Sequence, residues 1–156
     1  MMKASHQGFA LLEVMMVVLI IGMLAAICIP MFQKARMDSL AVRFMNDITK
    51  ACDAFEMYAM ENGAFPPDRT PGVIPPGMSE YLPRLDWSGD TVIGGRWDWD
   101  YGQAQFGCNA GVSVYRPDWI PSQMVLIDEK LDDGNLSTGM FRKRPAGYIY
   151  IIEKLP

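Results

Sequence analysis

The chain opens on one uninterrupted apolar stretch. From Phe9 to Phe32, 24 residues carry a single charge, that of Glu13. A helix over that stretch rises about 1.5 Å per residue, so it reaches about 36 Å and can cross a hydrocarbon core ~30 Å thick. The pattern then narrows to a stripe. Met37, Ala41, Phe44, Ile48, Ala51, Phe55 and Tyr58 recur at spacings of four and three, the period of an amphipathic helix. Asp38, Arg43, Asn46, Asp47, Lys50, Asp53 and Glu61 occupy the other face. Asn62-Gly63 is a stop signal, and Phe65-Pro66-Pro67 cannot continue a helix. The pattern therefore predicts a nearly continuous helix from Phe9 to Asn62, about 80 Å long by its rise.

After that rod the periodicity changes again. The proline-rich stretch from Asp68 to Pro83 reads as loop, with Met78 to Leu82 as a short helical turn. Trp97, Trp99 and Tyr101 alternate with Asp98 and Asp100, predicting a strand with one aromatic and one acidic face. Val112 and Val114 flank Ser113 in a second strand. Tyr148, Tyr150 and Ile152 alternate with Ile149 and Ile151, so that strand is apolar on both faces and is expected at the centre of a sheet. Between them Pro121 to Asp132 predicts a short helix, with Met124, Ile127 and Leu131 in step and Gly134 as the stop. The expected fold class is α+β: a long N-terminal helix packed against a small antiparallel sheet. Its first half would span a membrane and its second half would be amphipathic.

Composition narrows the function. The chain has 156 residues, half of them hydrophobic, and a net charge of −4. That excludes a disordered chain and a polybasic nucleic-acid binder. The only histidine, His6, lies upstream of the apolar stretch, so the rest of the chain offers no imidazole for acid–base work or metal ligation. No phosphate-binding loop and no nucleophile–base pair are recognisable, and the expectation is that the chain is not an enzyme. Cys28, Cys52 and Cys108 form no CxxC, which disfavours zinc. Cys28 falls within the apolar stretch, leaving Cys52 and Cys108 as the one disulfide pair to consider in an oxidising compartment. Two buried thiols is the commoner outcome for such cysteines, and spacing does not decide.

Glu13 decides what the apolar stretch is. An ordinary signal peptide has a shorter apolar core and no carboxylate inside it. A lipoprotein signal would need a small residue before Cys28, where Ile27 stands. A retained membrane helix remains, and in it a carboxylate costs a few kcal/mol unless it finds a partner. No lysine or arginine lies between Lys3 and Lys34. The sequence Gly8-Phe9-Ala10-Leu11-Leu12-Glu13-Val14-Met15-Met16-Val17-Val18-Leu19-Ile20-Ile21-Gly22 resembles the N-terminus of type IV pilins and of the pseudopilins of type II secretion systems. Ala10 stands where threonine or serine is commoner in those families.

The resemblance implies a leader, residues 1–8, removed by a prepilin peptidase between Gly8 and Phe9, with N-methylation of Phe9. It implies that residues 9–32 form a membrane helix and filament core, 33–62 its amphipathic continuation and 63–156 the head. Pro30 falls where the family has a helix-loosening proline; the plainer reading is a kink alone. Cutting leaves an ammonium at Phe9, largely protonated near neutral pH. Glu13 of a neighbouring subunit would pair with it, which fixes subunit register more than it adds stability. Implied partners are other pilin-like subunits in homo- or hetero-oligomeric filaments, the peptidase, an inner-membrane assembly platform and membrane lipid, with no nucleic acid. The N-terminus would be cytoplasmic and the head periplasmic or extracytoplasmic. The exit Tyr58-Ala59-Met60-Glu61-Asn62-Gly63-Ala64-Phe65-Pro66-Pro67 leans towards a secretion pseudopilin. The alternative is an uncleaved single-pass anchor carrying a periplasmic binding or sensor domain, which needs neither Gly8 nor Glu13.

Three further groups were weighed. Asp128, Glu129, Asp132, Asp133 and Asn135 crowd around Gly134. They match neither an EF-hand nor the C-terminal calcium loop of some secretion pseudopilins, so a solvated helix end is the default and no cofactor is expected; if calcium were held, Asp132, Asp133 and Asn135 would be its ligands. Trp87, Trp97, Trp99 and Trp119 are expected to build core. Arg142-Lys143-Arg144 reads as a hairpin tip in water or as a contact with an acidic neighbour.

Overall fold

The computed structural model describes residues 7–104 and 107–155, with side chains from residue 11 onward. Helix α1 runs over Gln7–Asn62 without interruption, passing through Pro30. Four strands follow: β1 (Arg96–Tyr101), β2 (Cys108–Tyr115), β3 (Phe141–Arg144) and β4 (Gly147–Lys154), with helix α2 (Pro121–Leu131) between β2 and β3. The sheet is antiparallel throughout, in the order β1-β2-β4-β3. The doubly apolar strand β4 is central, as its pattern requires. The chain divides into two compact units, Met1–Ser39 and Leu40–Pro156.

Within Leu40–Pro156 the end of α1 is the floor of the core. Ala41, Phe44, Ile48, Ala51 and Phe55 are buried, whereas Arg43, Asn46, Lys50, Asp53 and Glu61 are exposed. The aromatic side of β1 lies on this stripe. Trp99 stacks on Phe55 with centroids 3.8 Å apart and planes 3° from parallel, and Trp97 stacks on Phe44 at 5.4 Å. Such rings bury large apolar areas provided their N–H groups find acceptors. Trp99 Nε1 donates to the Pro66 carbonyl at 2.9 Å, and Trp87 Nε1 to that of Val73 at 3.1 Å. The loop after α1 thus supplies acceptors for two of the three core tryptophans. Trp119 is half-buried at the margin of the same cluster.

Helix α2 begins at Pro121, and the Ile120 N–H donates to Gln123 Oε1 at 3.0 Å. Met124 and Ile127 face inward from it. The turn at Met78–Glu80 is a short 3-10 helix rather than a helix reaching Leu82. Strand β3 was hidden in the sequence: Phe141–Arg144 alternates too briefly to show a period, and it pairs with β4 at the sheet edge. The hairpin tip is therefore Pro145-Ala146, and Arg142-Lys143-Arg144 lies in the strand before it.

Candidate functional site

From Leu11 to Phe32 the helix presents sixteen large apolar side chains, each between 50 and 72% exposed. Length and composition make this helix able to cross a membrane, and a surface so uniformly apolar has no stable place in water. Glu13 lies on it, exposed, and among the described residues no salt bridge reaches it. Lys34 and Arg36 are exposed just past its end, as snorkelling cations at a membrane boundary would be. The backbone at Gly8 and Phe9 is helical. Met1–His6, with Lys3 and His6, lie outside the described residues.

The acidic face of β1 is not a solvated one. Asp98 and Asp100 are buried, and so is Arg144. Arg144 reaches from β3 to both carboxylates, its Nη2 2.5 Å from Asp98 Oδ2 and its Nη1 bonded to Asp100 Oδ1. Ser113 on β2 donates to Asp100 Oδ2 at 2.6 Å. Gly147 lies directly opposite Arg144 in the β3–β4 register, and a Cβ there would meet the Val114 carbonyl oxygen at 1.9 Å. Two carboxylates share one cation, so the trio carries a net negative charge out of water. Burial and the neighbouring Asp100 push Asp98 up to about 6. Burial pulls Arg144 down, but Asp100 and Asp98 outweigh it and hold the guanidinium above its ordinary value. These residues lock the sheet internally, which corrects the expectation of a hairpin tip in water for Arg144: it is buried and paired with carboxylates of its own chain.

Cys52 and Cys108 are free, buried thiols. Cys52 belongs to the core between α1 and the sheet, whereas Cys108 clusters with Ile149 and Ile151. The register shift between Cys108 and Ala110 turns Cys108 away from the side that Ala110, Val112 and Val114 occupy, so the sheet separates the two sulfurs. Burial raises both, Cys108 to about 12, and buried thiols of this kind are inert. Of the polar residues around Gly134, Asn135 turns its side-chain oxygen to the Ser137 N–H at 3.2 Å. Asp132 and Asp133 instead converge with Asp128.

A long N-terminal apolar helix together with a small four-stranded antiparallel sheet is consistent with a pilin-like fold. The comparisons with known proteins agree. The prokaryotic N-terminal methylation motif matches residues 3–29. The chain is 29% identical over 108 residues to type II secretion system core protein G of Klebsiella michiganensis, covering 60% of this chain and 76% of that one. It is 33% identical over 66 residues to core protein G of Aeromonas hydrophila, 42% of this chain and 46% of the other. A type IV major fimbrial protein FimA of Dichelobacter nodosus is 44% identical over 60 residues, 38% of each chain. The chain thus spans three quarters of the first relative and less than half of the other two. No solved structure gives a significant match.

Proposed function

We propose that the chain is a structural subunit of a helical filament of the type II secretion or type IV pilus kind. In this reading it is made as a precursor and inserted in the inner membrane with its N-terminus cytoplasmic and Leu40–Pro156 outside. A prepilin peptidase cuts after Gly8, and Phe9 is methylated. An inner-membrane platform then passes the subunit into a filament whose core is the apolar helices of residues 9–32. Filament neighbours would be copies of this chain or other pilin-like subunits. Pro30 lacks an N–H and so leaves one backbone carbonyl without its helical donor, which makes residues 22–30 the place where the helix loosens as it packs.

The observation that carries the reading is the methylation motif over residues 3–29 around an exposed carboxylate, Glu13, which no salt bridge reaches among the described residues. A buried or lipid-immersed charge needs compensation. The α-amine that cleavage would create supplies it, and two copies in register satisfy each other. An uncut anchor would leave Glu13 without a purpose. The match to core protein G extends into the head, while the fimbrial match is confined to 60 residues; this favours the secretion type. The test is co-expression with a prepilin peptidase and intact mass spectrometry. The expected product lacks residues 1–8 and begins with methylated Phe9; a chain that keeps its leader beside an active peptidase defeats the proposal.

A further inference from the structure

The face of the sheet turned away from Phe44 and Phe55 holds one carboxylate more than its own buried cation can answer. We propose that the cavity beside Asp98 binds an organic cation, the ammonium of a lysine side chain presented by another polypeptide.

Asp100 alone completes the internal lock. Its Oδ1 accepts from Arg144 Nη1 and its Oδ2 from the Ser113 hydroxyl at 2.6 Å. Asp98 adds a second charge and is only 6% exposed. Its Oδ2 accepts from Arg144 Nη2, while its Oδ1 accepts no hydrogen bond among the described residues. An asparagine there would hold the guanidinium without withdrawing a surplus charge from water. Burial and Asp100 push the Asp98 carboxyl up to about 6, so above that pH it is ionised and short of positive charge. The acid is explained if a cation from outside the chain completes it.

The surroundings suit such a ligand. Asp98 and Asp100 line a cavity of about 630 Å³ between the loop after α1 and the tip of the β3–β4 hairpin. That is within the range of about 300–1,000 Å³ usual for small-ligand sites. Pro71, Pro145 and Ala146 supply apolar wall, and the exposed Asp68 adds a third carboxylate. The lining thus sets three carboxylates against two guanidinium groups, those of Arg69 and Arg144. The loop is tied in place by the chain itself. The Gly72 N–H donates to the Trp97 carbonyl at 2.7 Å, and Gln103 Nε2 donates to Asp68 Oδ2 at 3.2 Å.

A lysine side chain matches this lining better than other cations do. Its methylene stem packs on apolar wall while its head stays with the charged groups. Its compact ammonium directs three donors from one point, which suits a single open oxygen on Asp98 with Asp68 nearby. A guanidinium prefers both oxygens of one carboxylate, and neither buried aspartate has two to give. A bare metal ion needs several oxygens converging on one point; among the described residues Asp128, Asp132 and Asp133 converge in that way, and these three do not. The site lies wholly within the sheet unit, so it stands or falls apart from the filament reading.

The test uses the full-length chain in detergent micelles at about pH 7.5, above the Asp98 value. Nα-acetyl-lysine methylamide is the probe, and the norleucine and arginine analogues are its counterparts without the ammonium. The lysine probe is expected to shift the amide resonances of Asp98, Ser113 and Ala146, with a dissociation constant of about 1 mM. The arginine analogue should bind more weakly, and the norleucine analogue at least about tenfold more weakly. Asp98→Asn should weaken the lysine probe about tenfold. Asp68→Asn, at an exposed position, should melt like wild type and weaken the probe about threefold. Carbodiimide coupling of mixed light and heavy chains identifies the source. An Asp68–lysine link between a light and a heavy chain assigns the ammonium to a second copy, and probe binding without that link assigns it to a different polypeptide. No binding of the lysine probe, an equal response to norleucine, shifts remote from the cavity, or affinity that survives both substitutions would each refute the site.

Discussion

Asp98 shows how one residue can carry two demands. Its burial leaves the folded chain holding a proton to higher pH than the unfolded chain, in which an aspartate titrates near 3.8. The stabilisation that follows is full below that value and fades as pH rises through about 6. The groups that set it are Asp100, Arg144 and Asp68. Arg144 can neutralise one carboxylate fully, and Asp100 remains available for that. Asp98→Asn, which keeps an acceptor for the guanidinium, is therefore expected to unfold at neutral pH with stability equal to or about 1 kcal/mol above wild type. It should also flatten the decline between about pH 5 and 7. Thermal unfolding across that range measures both effects, and leaves in place the separate contribution of Asp128, also raised to about 6. A loss of several kcal/mol would mean that Asp98 is the carboxylate Arg144 depends on. The sequence announced the alternation of Asp98 and Asp100 but not their burial, because Arg144 comes from a strand 44 residues beyond Asp100.

Among the elements, those with long periods were legible and those made by pairing were not. The stripe from Ala41 to Phe55 needs only one helix to be recognised, since 3.6 residues per turn impose the spacing locally. The same holds for α2, where Pro121, Met124 and Ile127 mark both the start and the buried face. Strand β4 declared its central place through apolar residues on both sides. Strand β3 did not: four residues, three of them basic, carry no periodic signal, and only pairing with β4 makes them a strand. The acidic cluster around Gly134, Asp128 included, was visible in the sequence, but the burial of Asp128 on the inner face of α2 was not. The stacking of α1 on β1 gives the clearest element-scale prediction. Phe55 is fully buried against Trp99 and Trp87, so Phe55→Ala should cost about 3–5 kcal/mol. Met60→Ala, at an exposed position on the same helix, should stay within about 0.5 kcal/mol. Denaturant titration of the two variants checks the contrast; equal effects would mean that the end of α1 is not the floor of the core.

For the whole molecule the question is why a chain would keep a carboxylate on an otherwise unbroken apolar surface. Stability of the subunit gives no reason, since lipid would accept leucine at residue 13 more readily than glutamate. The charge earns its place only if its partner arrives from outside the chain, and then its worth lies in the penalty for every arrangement that leaves it alone. A filament is the setting where that penalty acts, because a subunit displaced along the axis would bury two unmatched charges instead of one matched pair. Glu13→Leu is accordingly expected to insert in the membrane as well as wild type, and to be cut and methylated normally. Its yield of sheared filaments should nevertheless fall by at least about tenfold, the consequence of losing roughly 1.4 kcal/mol in the choice of register. Membrane fractionation, intact mass and filament yield, measured together with the assembly machinery present, separate these steps. Normal filaments from Glu13→Leu would show that register is set elsewhere, by contacts between heads or by the apolar helices alone.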